Sequence, residues 1–586
     1  MSERLAFLWP EVCLFLATCG VMLVGLSPSA ATRRLCSWIA GLGLSVAGVL
    51  AIVTTPTTLA ESEGLGLLPN MLPYAKAVIA GVGVLLVPVL AGTVDRAEEH
   101  AIARGERSFD PLRVTRGEFF AFFLFSMTGL MLTASADDLI WLFLALELTS
   151  LPTYIMVTIS TPGSKPKSQE SGVKYFFLGA LGAAVFLFGF ALLYGGTGTT
   201  VLSDMPAILG EQAKNGGISP IAMGGLVISF LGVCFKVAAV PMHAYTADVY
   251  QGSASGVSAM LAFVPKTAGF IAMMLLAAAV GWHYTETGAF AFADLYERGQ
   301  LPQELRLTLF VVAALTMTVG NVLAVLQDSA KRMFAYSSIA HSGYMLVGVI
   351  AGPGLAGGGF MKNGLSAVLL YLLIYGITNT GVFAVLASLE KRAEDEARRT
   401  GHASEIDAVE DLRGLCGRDP LLGWTLVVCT LSLLGFPPLA GFFGKVPLFS
   451  AGIAAGEIVL VVILGLNSAM AAFYYLRVVN IAMFDRDADP EAAPVRSFAW
   501  SRISAAATAG ACVLVLTVLF NFGAKASRWA GQPRIDAAAI DGVERAGGPA
   551  ERPVEGRVEM PVDGTAGGPA HGTRLDDPAR SVSRAE

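Results

Sequence analysis

Residues 256–280 read GVSAMLAFVPKTAGFIAMMLLAAAV, a long apolar run whose one ionisable side chain is Lys266. As a helix it spans about 37 Å, more than the roughly 30 Å of a bilayer's hydrocarbon core. The run lacks the polar/apolar alternation of a barrel strand, and backbone polar groups in lipid must be satisfied within their own segment. Similar runs occur at 5–27, 35–55, 72–94, 117–135, 139–160, 172–194, 220–249, 304–326, 333–351, 363–388, 420–455, 457–484 and 502–523. The chain therefore reads as an all-α membrane protein of about 14 transmembrane helices.

Composition agrees. Of 586 residues, 54% are hydrophobic and 15% charged, against about 25% charged in soluble domains; a soluble enzyme is excluded. The cysteines (Cys13, Cys19, Cys36, Cys234, Cys416, Cys429, Cys512) form no CxxC pair, which argues against iron–sulfur, zinc and disulfide frameworks. No glycine-rich fingerprint for a nicotinamide or flavin is visible. The net charge of −6 lies largely in loops and tail, and nothing points to nucleic acid. The N-terminus has Arg4 before its apolar run, Glu11 inside it and Arg33–Arg34 after it. That is a retained first span, not a cleaved signal.

Two spans, 220–249 and 420–455, are too long for one straight crossing and contain prolines, Pro241 in FKVAAVPMHAY and Pro437–Pro438 in LLGFPPLAGFFGK. Proline removes an amide donor and clashes with the preceding turn, so both helices are expected to be broken there. With the N-terminus outside, Arg33, Arg34, Arg96, Arg104, Arg107, Arg113, Arg116, Lys165, Lys167, Lys331, Arg332 and the 391–418 segment fall inside. The opposite loops hold few cations, such as Lys214, Arg298 and Lys362. This asymmetry predicts both termini on the outer face. Residues 526–586 read as a disordered polar tail, and the 391–419 loop has room for a short helix.

The decisive residues are ionisable groups deep in apolar spans, where a charge costs a few kcal/mol or more and marks a functional site. Glu147 is ninth in its span, Lys266 eleventh and His341 ninth; Lys236 lies midway through the first broken span and Lys445 just after the second break. All are expected near one depth. Desolvation disfavours a lysine's ammonium form and a nearby carboxylate favours it, so a lysine that meets and leaves Glu147 takes up and releases a proton. Glu147 is predicted to pair with Lys236, with Lys266, His341 and Lys445 continuing the line. Broken helices add free backbone groups that line water and ions; Thr149, Ser150, Ser255, Tyr371 and Thr378 are candidates to hold water. Plainer readings compete. Lys76 and Lys174, near span ends, read as snorkelling lysines; Glu11 reads as interfacial; His341 fits a packing role equally well, and His243 a helix-end partner.

The stretches LFLALELTSLPTY, FKVAAVPMHAYTADVYQGS, KRMFAYSSIAHSGYMLVG and GFPPLAGFFGK resemble, in order and spacing, the antiporter-like membrane subunits of respiratory complex I, across roughly residues 5–523. The resemblance is strongest to the subunit N family of NADH-quinone oxidoreductase. Lysine in GFPPLAGFFGK distinguishes it from the M-type family, which has glutamate there, and nothing after residue 523 could form the long lateral helix of the L-type. The resemblance implies two inverted five-helix repeats, each with a broken helix, at 117–280 and 304–484. Helices 1–3 precede them within 1–116, a last helix lies within 485–525, and the tail is 526–586. Glu147, Lys236, Lys266 and Lys445 match the family's proton-channel positions, and Lys174 in VKYFFLGA matches a further family lysine. The implied function is proton export coupled to NADH oxidation and quinone reduction in a bacterial inner membrane. NADH, FMN, iron–sulfur clusters and quinone are then expected in partner subunits, with a neighbouring antiporter-like subunit and small K-type and J-type subunits alongside. Other readings are a subunit of a multi-subunit cation/proton antiporter or membrane-bound hydrogenase, and a structural scaffold with vestigial charges.

Overall fold

The computed structural model describes residues 7–54, 68, 71–94, 96–110, 113–160, 165–215, 217–280, 301–353, 360–400, 406–437 and 439–484. The predicted last span, 502–523, and the 526–586 tail lie outside the described residues. Every other predicted span is helical. The helices that form these spans are α1 Trp9–Gly25, α2 Leu35–Val53, α3 Leu72–Ala91, α4 Arg116–Ala134, α5 Leu139–Ile159, α6 Lys165–Thr197, α7 Pro220–Val233 and α8 Thr246–Gly252. They continue as α9 Ser255–Val280, α10 Gln303–Val325, α11 Ala330–Ala351, α12 Gly364–Thr400, α13 Pro420–Leu434, α14 Ala440–Ala454 and α15 Ile458–Met483.

Burial separates an interior from a lipid-facing rim. The apolar stretch of α9 is wholly buried and those of α11 and α12 are 94% buried, whereas that of α2 is only 33% buried. Leu23, Val53, Phe177 and Phe473 stand exposed on outer helices. Water cannot drive helix association inside lipid, so close backbone approach has to supply the contact. Gly269 shows this: a Cβ there would lie 2.6 Å from Val237 Cγ1 and 3.0 Å from Lys236 Cβ. Glycine lets α9 press directly against the first break.

Polar anchors fix the helix registers. Asp138 caps α5, accepting from the amides of Ile140 (2.7 Å) and Trp141 (3.2 Å), while Leu139 N donates to Thr200 O at 2.8 Å. Glu147 therefore sits about 12 Å along the axis from the helix start. At α11 the Ser329 hydroxyl accepts from Arg332 N at 3.3 Å, and Ala330 N donates to Asp407 O at 2.7 Å.

The first break begins earlier than its proline predicts. α7 ends at Val233, and residues 234–245 run as turns to α8, with Ala238 at φ 55. Pro241 obstructs bonding only to the carbonyl four residues back, at Val237; Ala238, in left-handed backbone, stops the helix ahead of it. The second break follows Gly435, at φ 89, whose amide donates to Leu431 O at 3.1 Å, as does that of Phe436 at 3.0 Å. A left-handed residue closing a helix favours glycine. The loop predicted at 391–419 is partly helix: α12 continues to Thr400 through EKRAEDEARRT. Strong helix formers carry it beyond its apolar part.

Candidate functional site

Breaking a helix frees backbone groups that must find partners when buried. Across the first break, Val237 O accepts from the Ser342 hydroxyl of α11 at 2.6 Å, Val240 N donates to Thr316 Oγ1 of α10 at 2.9 Å, and the Tyr245 hydroxyl donates to Phe235 O at 2.9 Å. In the second, Gly441 N donates to Ser432 Oγ at 3.0 Å and Lys445 Nζ to Leu434 O at 2.8 Å. These side chains turn each interruption into a fixed polar surface at the centre of the bundle.

The predicted charged residues converge on this surface. Lys236, 2% exposed, places Nζ 2.9 Å from Glu147 Oε1 and also donates to the Ser150 hydroxyl. The predicted pair is thus formed. Lys266 is equally buried, donating to Ser338 O and to Ser342 Oγ at 3.0 Å. A small cavity lies between the two lysines, lined by both and by Tyr175, Thr246 and Tyr250; it holds about 10 Å³ of space for water centres, close to the minimum for one water molecule. Buried Thr246 Oγ1 and the Tyr250 hydroxyl have no protein partner.

His341, 1% exposed, is held between two tyrosines: Nδ1 lies 2.6 Å from the Tyr371 hydroxyl and Nε2 2.8 Å from that of Tyr475. Both ring nitrogens are engaged, so a proton gained on one side has an exit on the other. Tyr475 bonds Ser337, and the Tyr375 hydroxyl donates to Ser338 Oγ at 2.7 Å, beside Lys266. Lys445, 5% exposed, donates to Ser468 Oγ at 2.9 Å and lies 5.1 Å above the Tyr344 ring, which meets His341 edge-on at 5.3 Å. The arrangement is a line of ionisable groups from Glu147 to Lys445, with hydroxyls, ring contacts and one water-sized space between them.

Lys174 is not part of it. Its side chain is 42% exposed and pairs with Glu170 (2.7 Å) and Asp248 (3.0 Å); Asp248 also pairs with Arg332 at 2.6 Å. The snorkelling reading fits this position, and the buried line is built without it. Two other readings are corrected. Glu11, 4% exposed, and Lys76, 2% exposed, form a buried ion pair at 2.7 Å instead of facing the interface. Their helices are packed around by α4, whose end supplies the Ser135 hydroxyl to Glu11 at 3.1 Å. Among the water-holding candidates, Ser255 binds Glu390, and Thr378 bonds back to its own helix at Ile374 O. Among the described residues no cluster of His, Cys, Asp or Glu is arranged to hold a metal ion. The sequence reading missed Tyr344, Tyr375, Tyr475, Ser338, Ser342 and Ser468. Their signal was available: hydroxyl side chains recurring in otherwise apolar spans beside a midplane His or Lys.

Similarity to known proteins places this architecture. The profile of the family described as NADH:quinone oxidoreductase/Mrp antiporter, TM, matches residues 136–471. NADH-quinone oxidoreductase subunit N of Trichlorobacter lovleyi is 34% identical over 86% of this chain and 91% of its own length. The Myxococcus xanthus subunit N is 39% identical over 69% of this chain and 76% of its own. A chain of respiratory complex I from Thermus thermophilus superposes with a TM-score of 0.64 at 29% identity, covering 88% of this chain and 98% of that one. A chain of the Mrp complex from Dietzia shares the fold, with a TM-score of 0.69 at 18% identity over 93% of this chain and 99% of that one. With both helix breaks inside the matched region and identity above 30% along most of its length, the chain belongs to the NADH:quinone oxidoreductase/Mrp antiporter membrane family, in its NADH-quinone oxidoreductase subunit N branch.

Proposed function

We propose that the chain works as a membrane-arm subunit of proton-pumping NADH-quinone oxidoreductase, moving protons through Glu147, Lys236, Lys266, His341 and Lys445. The observation that carries this reading is the Glu147–Lys236 pair at 2.9 Å, its lysine buried and its carboxylate 18% exposed, joined by a water-sized cavity to Lys266. Moving one charge against 100 mV costs about 2.3 kcal/mol. Stripping one partner from a buried pair costs about 3–5 kcal/mol, so opening and closing a single pair is on the scale of the work required. Lys236 leaves Glu147 as an amine that has released its proton, and Lys266 receives that proton through the cavity. His341 relays it between Tyr371 and Tyr475, and Lys445 takes it at the second break.

The two repeats, 117–280 and 304–484, are related by inversion; a broken helix at the same place in each supports this. The loops rich in lysine and arginine, including 391–419, face the cytoplasm of a bacterial cell, with both termini outside. NADH, FMN, iron–sulfur clusters and quinone belong to other subunits of the complex. A neighbouring antiporter-like subunit and small K-type and J-type subunits flank this one in the membrane. Lys174 acts at the cytoplasmic end, with Asp248. The alternative of a cation/proton antiporter or hydrogenase subunit is the weaker one: the subunit N relative is 34% identical, the Mrp chain 18%. Co-purification with quinone-reducing subunits supports the first reading, and co-purification with an antiporter assembly the second. The functional test is Glu147→Ala and Lys236→Ala in the assembled complex. Proton pumping should be lost with assembly retained, and normal pumping with either change would count against the proposal.

A further inference from the structure

Outside the line just described, a cluster of deep ionisable residues lies at the end of the bundle that carries the 391–419 segment. Lys331, in the first turn of α11, is 5% exposed and forms an ion pair with Glu390 of α12. The Glu390 side chain is 13% exposed, so the pair sits where the polar surface gives way to the packed interior. Glu390 accepts from Ser255 N at 3.0 Å and Ser255 Oγ at 2.8 Å, at the start of α9; Lys331 donates to Ser253 O at 3.0 Å. Inward from them the Ser253 and Ser258 hydroxyls are 2.9 Å apart, and Ser258 Oγ donates to Tyr250 O at 3.0 Å. Ser253, Ser255 and Ser258 are fully buried. The Tyr250 side chain then lines the cavity that holds Lys236 and Lys266, its hydroxyl without a protein partner.

A buried ion pair alone has a structural explanation, because Glu390 caps α9. Two features go beyond it. The pair joins the polar surface to buried serine hydroxyls, and Tyr250, whose backbone carbonyl accepts from the innermost of them, puts its side chain into a cavity fitting one water. We infer that Glu390 and Lys331 form the port through which protons from the 391–419 side reach Lys236 and Lys266. This rests on the proposed function above.

A proton from bulk water binds the Glu390 carboxylate, giving a neutral acid and removing the charge that holds Lys331. The pair opens, and water enters the interrupted stretch between Ser258 and the Tyr250 hydroxyl. Each hydroxyl in the file passes on one proton and receives another. At the cavity an O–H bond of water breaks as an N–H bond forms on the unprotonated amine of Lys266. Glu390, again a carboxylate, recaptures Lys331 and closes the port. The protein supplies the path and bulk water the proton; no other reactant is needed.

The test uses the complete oxidoreductase in proteoliposomes, with the proton-to-electron ratio and subunit content measured for Glu390→Gln, Glu390→Asp and Tyr250→Phe, and for Lys266→Met as reference. Glu390→Gln keeps an acceptor for the Ser255 amide but carries no proton. We expect it to assemble and to lose proton pumping, Glu390→Asp to restore pumping, and Tyr250→Phe to lower the ratio. Normal pumping by Glu390→Gln beside failed pumping by Lys266→Met overturns the port and leaves the proposed function standing. Normal pumping by Lys266→Met removes the proposed function itself. Should Glu390→Gln fail to assemble, Tyr250→Phe decides, and an unchanged ratio there overturns the port.

Discussion

Glu11 and Lys76 offer a prediction whose size can be worked from geometry. The two are 4% and 2% exposed, 2.7 Å apart, with Lys76 also donating to Phe7 O at 2.7 Å and Ser135 to Glu11 at 3.1 Å. Glu11 Oε2 is buried without a further partner, so little else compensates either charge. Lys76→Met leaves a buried carboxylate with one hydroxyl; Glu11→Gln leaves a buried ammonium with only neutral acceptors, the Phe7 carbonyl and the new amide oxygen. Each should cost about 3–5 kcal/mol, which is two to nearly four powers of ten in the folded ratio. Making both changes removes both charges and should cost within about 1–2 kcal/mol of neutral. The assay is a double-mutant cycle on thermal loss of the monodisperse form in mild detergent, with a coupling energy of about 2 kcal/mol or more expected for residues in contact. If each single change costs under about 1 kcal/mol and the two add to the double, the pair is solvated and the burial argument fails.

Gly269→Val should press on Lys236: the new Cβ falls 2.6 Å from Val237 Cγ1, about 1 Å inside normal carbon contact. A destabilisation of about 1–3 kcal/mol with slowed pumping is expected in vesicles, and unchanged pumping would show that Lys236 tolerates displacement. His341→Phe strands the Tyr371 hydroxyl at a cost of about 1–3 kcal/mol, Tyr475 keeping its bond to Ser337, while His341→Gln should fold better and still block pumping; a pumping His341→Gln protein would reduce His341 to packing. On the polar loop, hydrogen bonds from Arg477 and from its own backbone amide hold the Glu410 carboxyl below its usual range. The stabilisation from a lowered carboxylate is present above its unfolded value and is lost as pH falls through the folded one. Amide exchange in 406–418 should therefore be slow at neutral pH and quicken in acid. In Arg477→Gln protein the quickening should begin at higher pH, and exchange indifferent to pH would discount the clamp.

How far the sequence could be read follows from what each residue must satisfy. Glu147, Lys236, Lys266, His341 and Lys445 were legible because a charge in lipid needs a partner, and their depth along single helices could be counted from span ends. The position of the first break was not: Pro241 signals an interruption, but where α7 stops depends on Ala238 adopting left-handed backbone, a tertiary choice with no local mark. Glu11 and Lys76 were each judged alone, so the neutralising contact between two spans distant in sequence was overlooked. Glu390 falls between the predicted 363–388 span and the 391–419 loop and was passed over, because the apolar window ends before it while the helix does not. Tyr371 was proposed as a water holder; Tyr375 and Tyr475 were not, since their use depends on which helix faces His341.

On this reading the buried lysines exchange protons and do not merely hold fixed charge. Arginine separates the two, since it keeps the charge but cannot release its proton in a protein. The direct measurement is the proton-to-electron ratio of the assembled complex carrying Lys266→Arg. Lys266→Arg should fail to pump, as Lys266→Met does; pumping at the wild-type ratio with arginine would show that Lys266 need not exchange a proton.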